Sequence, residues 1–169
     1  MSYRDGVDRD DTCGGSVSGY DSRRDTLAHI GEVRVLLMAV VRDFQYRASD
    51  HDRSKLIKPE KPVFDRMVPK LQELEYGSPE YMASLEEMGE ALQHHYAKNR
   101  HHPEHFVDGI SGMNLLDVIE MLADWKAATK RMADGGDLDE SITINARRFG
   151  YGPELEGLLR NTARDMGWL

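Results

Sequence analysis

Five of the chain's seven histidines stand within thirteen residues, from Gln93 to His105; the other two are His29 and His51, the latter directly before Asp52. Neutral imidazole is the commonest protein ligand for transition metals, and a neighbouring carboxylate adds an oxygen donor. Residues of these types at this density therefore point to a metal centre. Which of them can meet depends on the elements that carry them.

Between Thr26 and about Arg47, Leu27, Ile30, Val33, Leu37, Val40, Val41 and Phe44 recur at helical spacing and predict one long amphipathic helix, with His29 in its first turn. His51-Asp52 follows where that helix gives way, so that a turn can aim both side chains to one side. Pro59, Pro62 and Pro69 punctuate the next segment, whose apolar residues Phe64, Met67, Val68, Leu71 and Leu74 predict a short helix with an early proline. Ser78 as N-cap and Pro79 at the first helical position then open a helix expected to run to Lys98. Leu85, Met88, Leu92 and His95 share one stripe of it, so His95 continues the buried face, while His94 is rotated about 100° away as a neighbour. Pro103 biases His102 away from helical geometry, so at most one of His101 and His102 is expected to reach the metal.

The helix expected from Met113 to about Met132 opens with Asn114 and Asp117 at cap spacing. Asp117, Glu120 and Asp124 form a narrow acidic stripe bordered on both sides by apolar residues. Carboxylates on a buried helix need a cation, and Asp124, deepest in the run, is the candidate ligand. Ser141 to Phe149 and Pro153 to about Met166 predict two further helices, the last with Leu155, Leu158 and Leu159 facing inward. With no run of alternating β-branched residues, the fold class is all-α, a single bundle of about five to seven helices over residues 23–169 behind a flexible tail at 1–22.

A length of 169 residues suits one domain. Composition narrows the function further. The net charge of −8 and the lack of a basic stripe interleaved with aromatics argue against duplex nucleic acid as a partner. No apolar run is long enough for a bilayer, Cys13 has no partner for an internal disulfide, and the first residues lack the apolar core of a signal peptide, so a cytoplasmic protein is expected. The oligomeric state stays open, a homo-oligomer included.

The order His29, His51-Asp52, Asp124 resembles the four-ligand pattern of the HD-domain superfamily of metal-dependent phosphohydrolases, over roughly residues 26–130. The strings HDRSK, YGSPEY, NRHHPEH, MNLLDVIEMLADWKAA and SITINARRF resemble a family of HD-like proteins found in bacteria and their phages. The resemblance implies a divalent metal ion, with Mn, Fe, Co, Mg and Zn not distinguished, held by His29, His51, Asp52 and Asp124. It also implies hydrolysis of a small anionic substrate, a nucleotide or related phosphate ester. The extra histidines are similar to added ligands that hold a second metal in some HD subgroups, with His95 and His101 the candidates here. The Gly-Tyr-Pro signature of the cyclic-dinucleotide hydrolases is missing. Lys55, Arg147 and Arg148, with Arg160, are the candidate phosphate-binding cations. Glu104 or Glu120 could take a proton from water, and His102 could bind metal or protonate the leaving oxygen. Two other readings are an HD-fold di-iron oxygenase and a non-catalytic metal-binding helical module.

Overall fold

The computed structural model describes residues 20–131 and 136–169; most of the expected tail, residues 1–19, lies outside them. The described residues form seven α-helices and no strand: α1 (Arg23–Asp50), α2 (Glu60–Gln72), α3 (Pro79–Glu87), α4 (Gly89–Lys98), α5 (Leu115–Thr129), α6 (Leu138–Phe149) and α7 (Pro153–Asp165). Short 3-10 turns at Arg53–Leu56, Pro103–His105 and Gly109–Gly112 join them. The fold is all-α. No described helix is long and apolar enough to cross a membrane.

By contact, the chain divides into two units, Met1–Val41 and Arg42–Leu169. What is described of the first is mainly helix α1, on which no residue is buried and Leu27, Ile30, Leu36, Leu37 and Met38 are exposed. The second unit holds the core. Leu122 of α5, Leu138 and Ile142 of α6 and Leu159 and Ala163 of α7 are all buried and pack together, with Trp125, Tyr151 and Trp168 against them. Met67 of α2 and Ala91 of α4 are buried where those two helices pack. Leu158, expected to face inward, is 60% exposed, because Leu159 and Ala163, one turn apart, take the inner stripe of α7.

The predicted helix from Pro79 to Lys98 is two helices. Ser78 Oγ accepts from the Tyr81 backbone N–H and caps α3 as the sequence suggested. Gly89 then sits at φ 51°, a left-handed conformation that glycine adopts without steric cost, and the chain turns into α4 there. Helix α5 opens on a capping box: Asn114 Oδ1 accepts from the Leu116 and Asp117 N–H groups, and the Asp117 carboxylate accepts from the Asn114 N–H. Its acidic stripe faces inward. Asp117 is fully buried while Leu115, two residues earlier, is 73% exposed.

Candidate metal centre

Four segments of the second unit deliver side chains to one point. His51 and Asp52 follow α1, and Asp52 has φ 59° and ψ 10°, a left-handed backbone that aspartate tolerates better than most residues. His95 comes from the last turn of α4, His101 and His102 from the turn behind it, and Asp124 from the middle of α5. Asp52, His95, His101 and His102 form one group whose ligand atoms all lie within 4.8 Å of one another; His51, His101 and Asp124 form a second.

The spacings suit coordination. Donors about 2.0–2.2 Å from a tetrahedral ion stand roughly 3.3–3.6 Å from each other. Asp52 Oδ1 lies 3.4 Å from His95 Nε2 and 3.6 Å from His101 Nε2, while His51 Nε2 lies 3.4 Å from Asp124 Oδ1 and 3.6 Å from Asp52 Oδ2. His95 Nε2 and His102 Nε2 are closer, 2.9 Å apart, a hydrogen-bond distance. Among the described residues, Asp52 Oδ1 and His101 Nε2 are buried atoms with no hydrogen-bond partner. An unpaired buried polar atom costs about 1–3 kcal/mol, and a cation at the shared point would satisfy both. His101 belongs to both groups, so the two share one imidazole.

Carboxylates fix the rings from outside. A carboxylate only accepts, so a ring nitrogen hydrogen-bonded to one is the donor. His51 Nδ1 donates to Glu120 Oε1 at 3.0 Å, His101 Nδ1 lies 3.3 Å from the same oxygen, and His95 Nδ1 donates to Glu60 Oε2 at 2.9 Å. The Nε2 atoms of His51, His95 and His101 are thereby turned toward the ligand groups, His51 Nε2 facing Asp124 and Asp52, and a carboxylate on one ring nitrogen orients the other. Glu60 is fully buried and also accepts from His94 Nδ1 at 2.7 Å and from Ser54 Oγ at 2.9 Å. Asn99 Nδ2 donates to Ser54 Oγ and to the His95 carbonyl, and it also lies 2.9 Å from His95 Nδ1. Glu60→Gln keeps the shape but offers His95 a weaker acceptor, and is expected to lower affinity for Zn(II) or Mn(II) by about 10- to 100-fold, read by calorimetry.

The electrostatics favour positive charge at the centre. Hydrogen bonding to Asp124 and then Glu120 pushes His51 up to about 10. Burial works to raise Glu120, but hydrogen bonds from His101, His51 and Arg47 outweigh it and hold this carboxylate well below its usual range. Asp124 behaves likewise: burial opposes, and the hydrogen bond to His51 with the nearby His101 and Lys55 charges prevails. Burial, then the charges of His101 and His95, hold His102 well below the ordinary imidazole value, and burial and then Lys55 lower His95. Both rings are therefore neutral and carry ligand lone pairs near neutral pH. Four imidazoles with two carboxylates suit Zn, Fe, Mn or Co better than Mg.

The structure brings His51, Asp52, His95, His101 and Asp124 together in these two groups, and it departs from one expectation. His101 and His102 both join the centre, since the tight turn closed by the His102 N–H on the Asn99 carbonyl brings their rings to 4.2 Å between centroids. His29 is in neither group; it lies in the first unit, exposed on α1. Lys55 Nζ lies 2.6 Å from Asp52 Oδ2 and 5.1 Å from the Phe64 ring centroid. Arg148 donates to Glu104 at 2.7 Å, and both line a cavity of about 250 Å³ whose wall also includes Lys55, His95, His102 and Asp124. Arg147 is exposed and does not line that cavity, and Arg160 is engaged by Asp139 and Glu156, so three arginines do not converge on one phosphate. His105 Nδ1 donates to the Tyr96 carbonyl instead of facing the ligands. Glu60, Ser54, Asn99, Arg47 and Arg100 escaped sequence reasoning; each supports a ligand or its neighbour from outside, and no spacing marks such residues.

The model of DUF5662, a family of unknown function, matches residues 18–165, and the chain belongs to that family. No curated protein and no solved structure matches it.

Proposed function

We propose that this member of the family is a metal-dependent phosphohydrolase acting on a small phosphate ester, nucleotides being one such class. One observation carries the reading. Asp52 Oδ1 and His101 Nε2, buried and without hydrogen-bond partners, face the same point as His95 and His102, and that point adjoins a cavity with Lys55 in its wall. His51, Asp52, His95, His101, His102 and Asp124 would hold the ion or ions, and a divalent metal there supplies Lewis acidity toward a phosphoryl oxygen and a water.

The chain's own residues divide the remaining work. Lys55, pinned by Asp52 beside the ligands, places an ammonium where phosphoryl charge would accumulate. Glu120 was a candidate base, but its oxygens are taken by Arg47, His51 and His101, so it positions imidazoles. Glu104 gives Oε1 to Arg148 and keeps Oε2 to accept a proton from water at the cavity wall. His102, held neutral by burial, serves better as a ligand than as an acid.

Elemental analysis of the purified protein, followed by a phosphate-release screen over nucleoside mono-, di- and triphosphates and simple phosphate esters, tests the reading. Wild-type protein loaded with Mn(II), Co(II) or Zn(II) is expected to exceed Asp52→Asn by at least about 100-fold on some ester. Equal release across the panel would refute it. Tightly bound iron with oxygen consumption on adding substrate would favour oxygenase chemistry instead.

A further inference from the structure

The cavity beside the ligands has a composition of its own. Asp124 and Ala128 lie one turn apart on α5, so the face that carries the ligand continues straight into the cavity wall with Trp125 and Thr129. Phe64 of α2 and Tyr81 and Leu85 of α3 line the same space. At about 250 Å³ the space is near or below the small end of ligand sites, roughly 300–1,000 Å³.

Its charges are few and mostly spoken for. Lys55 is bound by Asp52 and Arg148 by Glu104, while Arg131, the remaining cation of the wall, is exposed, and the carboxylates Glu104 and Asp124 line the same space. A chain of linked phosphates needs several cations along it, and none are arrayed here. Three of the wall's polar groups are already engaged. Tyr76 OH donates to Asn145 Oδ1, Asn145 Nδ2 to the Ser141 carbonyl, and Thr129 Oγ1 to the Lys126 carbonyl. A ligand with a hydrogen-bonding edge would lose water there and gain few partners, whereas an apolar ring loses nothing.

Resting on the phosphohydrolase reading, we infer that the substrate is a phosphomonoester of an uncharged aromatic or otherwise apolar alcohol, one or two fused rings in size. The phosphoryl group sits at the ligands and the apolar body fills the cavity between α5 and α3. Water adds to phosphorus as the P–O bond to the alcohol breaks; one water proton ends on the departing oxygen, and the products are the free alcohol and inorganic phosphate.

The test uses the full chain loaded with Mn(II) and follows phosphate release from 1-naphthyl phosphate, methyl phosphate, adenosine monophosphate and adenosine triphosphate. 1-Naphthyl phosphate is expected to exceed methyl phosphate in kcat/KM on the order of 100-fold, and to exceed both nucleotides. A second readout needs no turnover: calorimetry should find 1-naphthylphosphonate binding at least about tenfold tighter than methylphosphonate, with or without Mn(II). Ala128→Leu, which fills the cavity, and Tyr81→Ala, which removes a ring from its wall, should each cut that preference about fivefold in protein whose melting is preserved. Adenosine monophosphate turned over as fast as the naphthyl ester, or a phosphonate preference unmoved by both variants, would overturn the inference. If no ester is hydrolysed while the preference persists and both variants reduce it, the phosphohydrolase reading fails and the apolar-body assignment stands.

Discussion

Zn(II) or Mn(II) at about 100 times its dissociation constant is expected to stabilise the protein by about 2.7 kcal/mol, a rise of roughly 5–10 °C in Tm. The effect follows from ligands that are assembled in the folded state and scattered in the unfolded chain, from His51 to Asp124. His101 is the residue on which it turns, because it belongs to both ligand groups and its Nε2 is buried without a partner. His101→Ala should weaken binding by more than the ~10- to 100-fold that loss of a supporting partner costs. His101→Phe is the sharper test. It keeps a ring against His51, 4.3 Å away between centroids, and against His102, while removing both the unpaired Nε2 and the Nδ1 that faces Glu120. Metal-free His101→Phe protein should melt below wild type by the loss of the Glu120 contact alone, and metal should no longer raise its Tm. Thermal unfolding with and without metal reads both. A Tm rise in His101→Phe equal to that of wild type would show that the cation binds elsewhere.

Asp117→Asn is expected to cost about 3 kcal/mol of stability, at the lower end of what breaking a buried ion pair costs. Asp117 is fully buried and accepts from Arg47 Nη1 at 2.9 Å, from Arg100 Nε and Nη2 at 3.1 and 3.0 Å, and from the Asn114 N–H at 3.0 Å. Arg100 is about half exposed and can return to water, but Arg47 is 17% exposed and would keep only Asp43 and Glu120. The loss should spread to the centre, since Arg47 also holds Glu120, which orients His51 and His101. Acid acts through the same residue. Burial works to raise the Asp117 pKa, but Arg100, the Asn114 N–H and Arg47 outweigh it and lower it from 3.8. A carboxylate whose folded pKa is depressed contributes stability that is fully present above its unfolded value and lost as pH falls through the folded one. Wild-type stability should therefore drop below about pH 4, and the gap to Asp117→Asn should narrow there. Urea titrations of both proteins between pH 7 and 3 measure it; a constant gap would show that Asp117 acts through shape alone.

Much of this protein was legible in its sequence because local chemistry decides it. Helix periodicity, the Ser78 and Asn114 caps and the absence of strand patterning depend on residues within a few positions of each other, and the structure reproduces them. His95 was legible for the same reason, as the continuation of an apolar stripe on one helix face, and it is 1% exposed. The Asp117, Glu120 and Asp124 stripe was legible as a demand: carboxylates flanked by apolar residues require positive partners, whatever these are. The structure names the partners of all three as Arg47, Arg100, His51 and His101. The break at Gly89 was less readable, because glycine permits a left-handed residue without requiring one.

Only the tertiary structure decided which histidines meet. His29 has the right residue type and the right order along the chain, and it stands exposed on the part of α1 that belongs to the first unit. His101 and His102 looked mutually exclusive from a proline rule that governs one backbone angle, but a turn of several residues carried both rings to the same point. Glu60 carried no signal at all. Its carboxylate matters because α2 packs on α4 and presents it to His94 and His95, more than thirty residues away in sequence. Sequence sets the inventory of donors and acceptors and the helices that carry them. Folding sets which lone pairs converge, because a ligand site is defined within a few ångströms and no one-dimensional pattern encodes that distance.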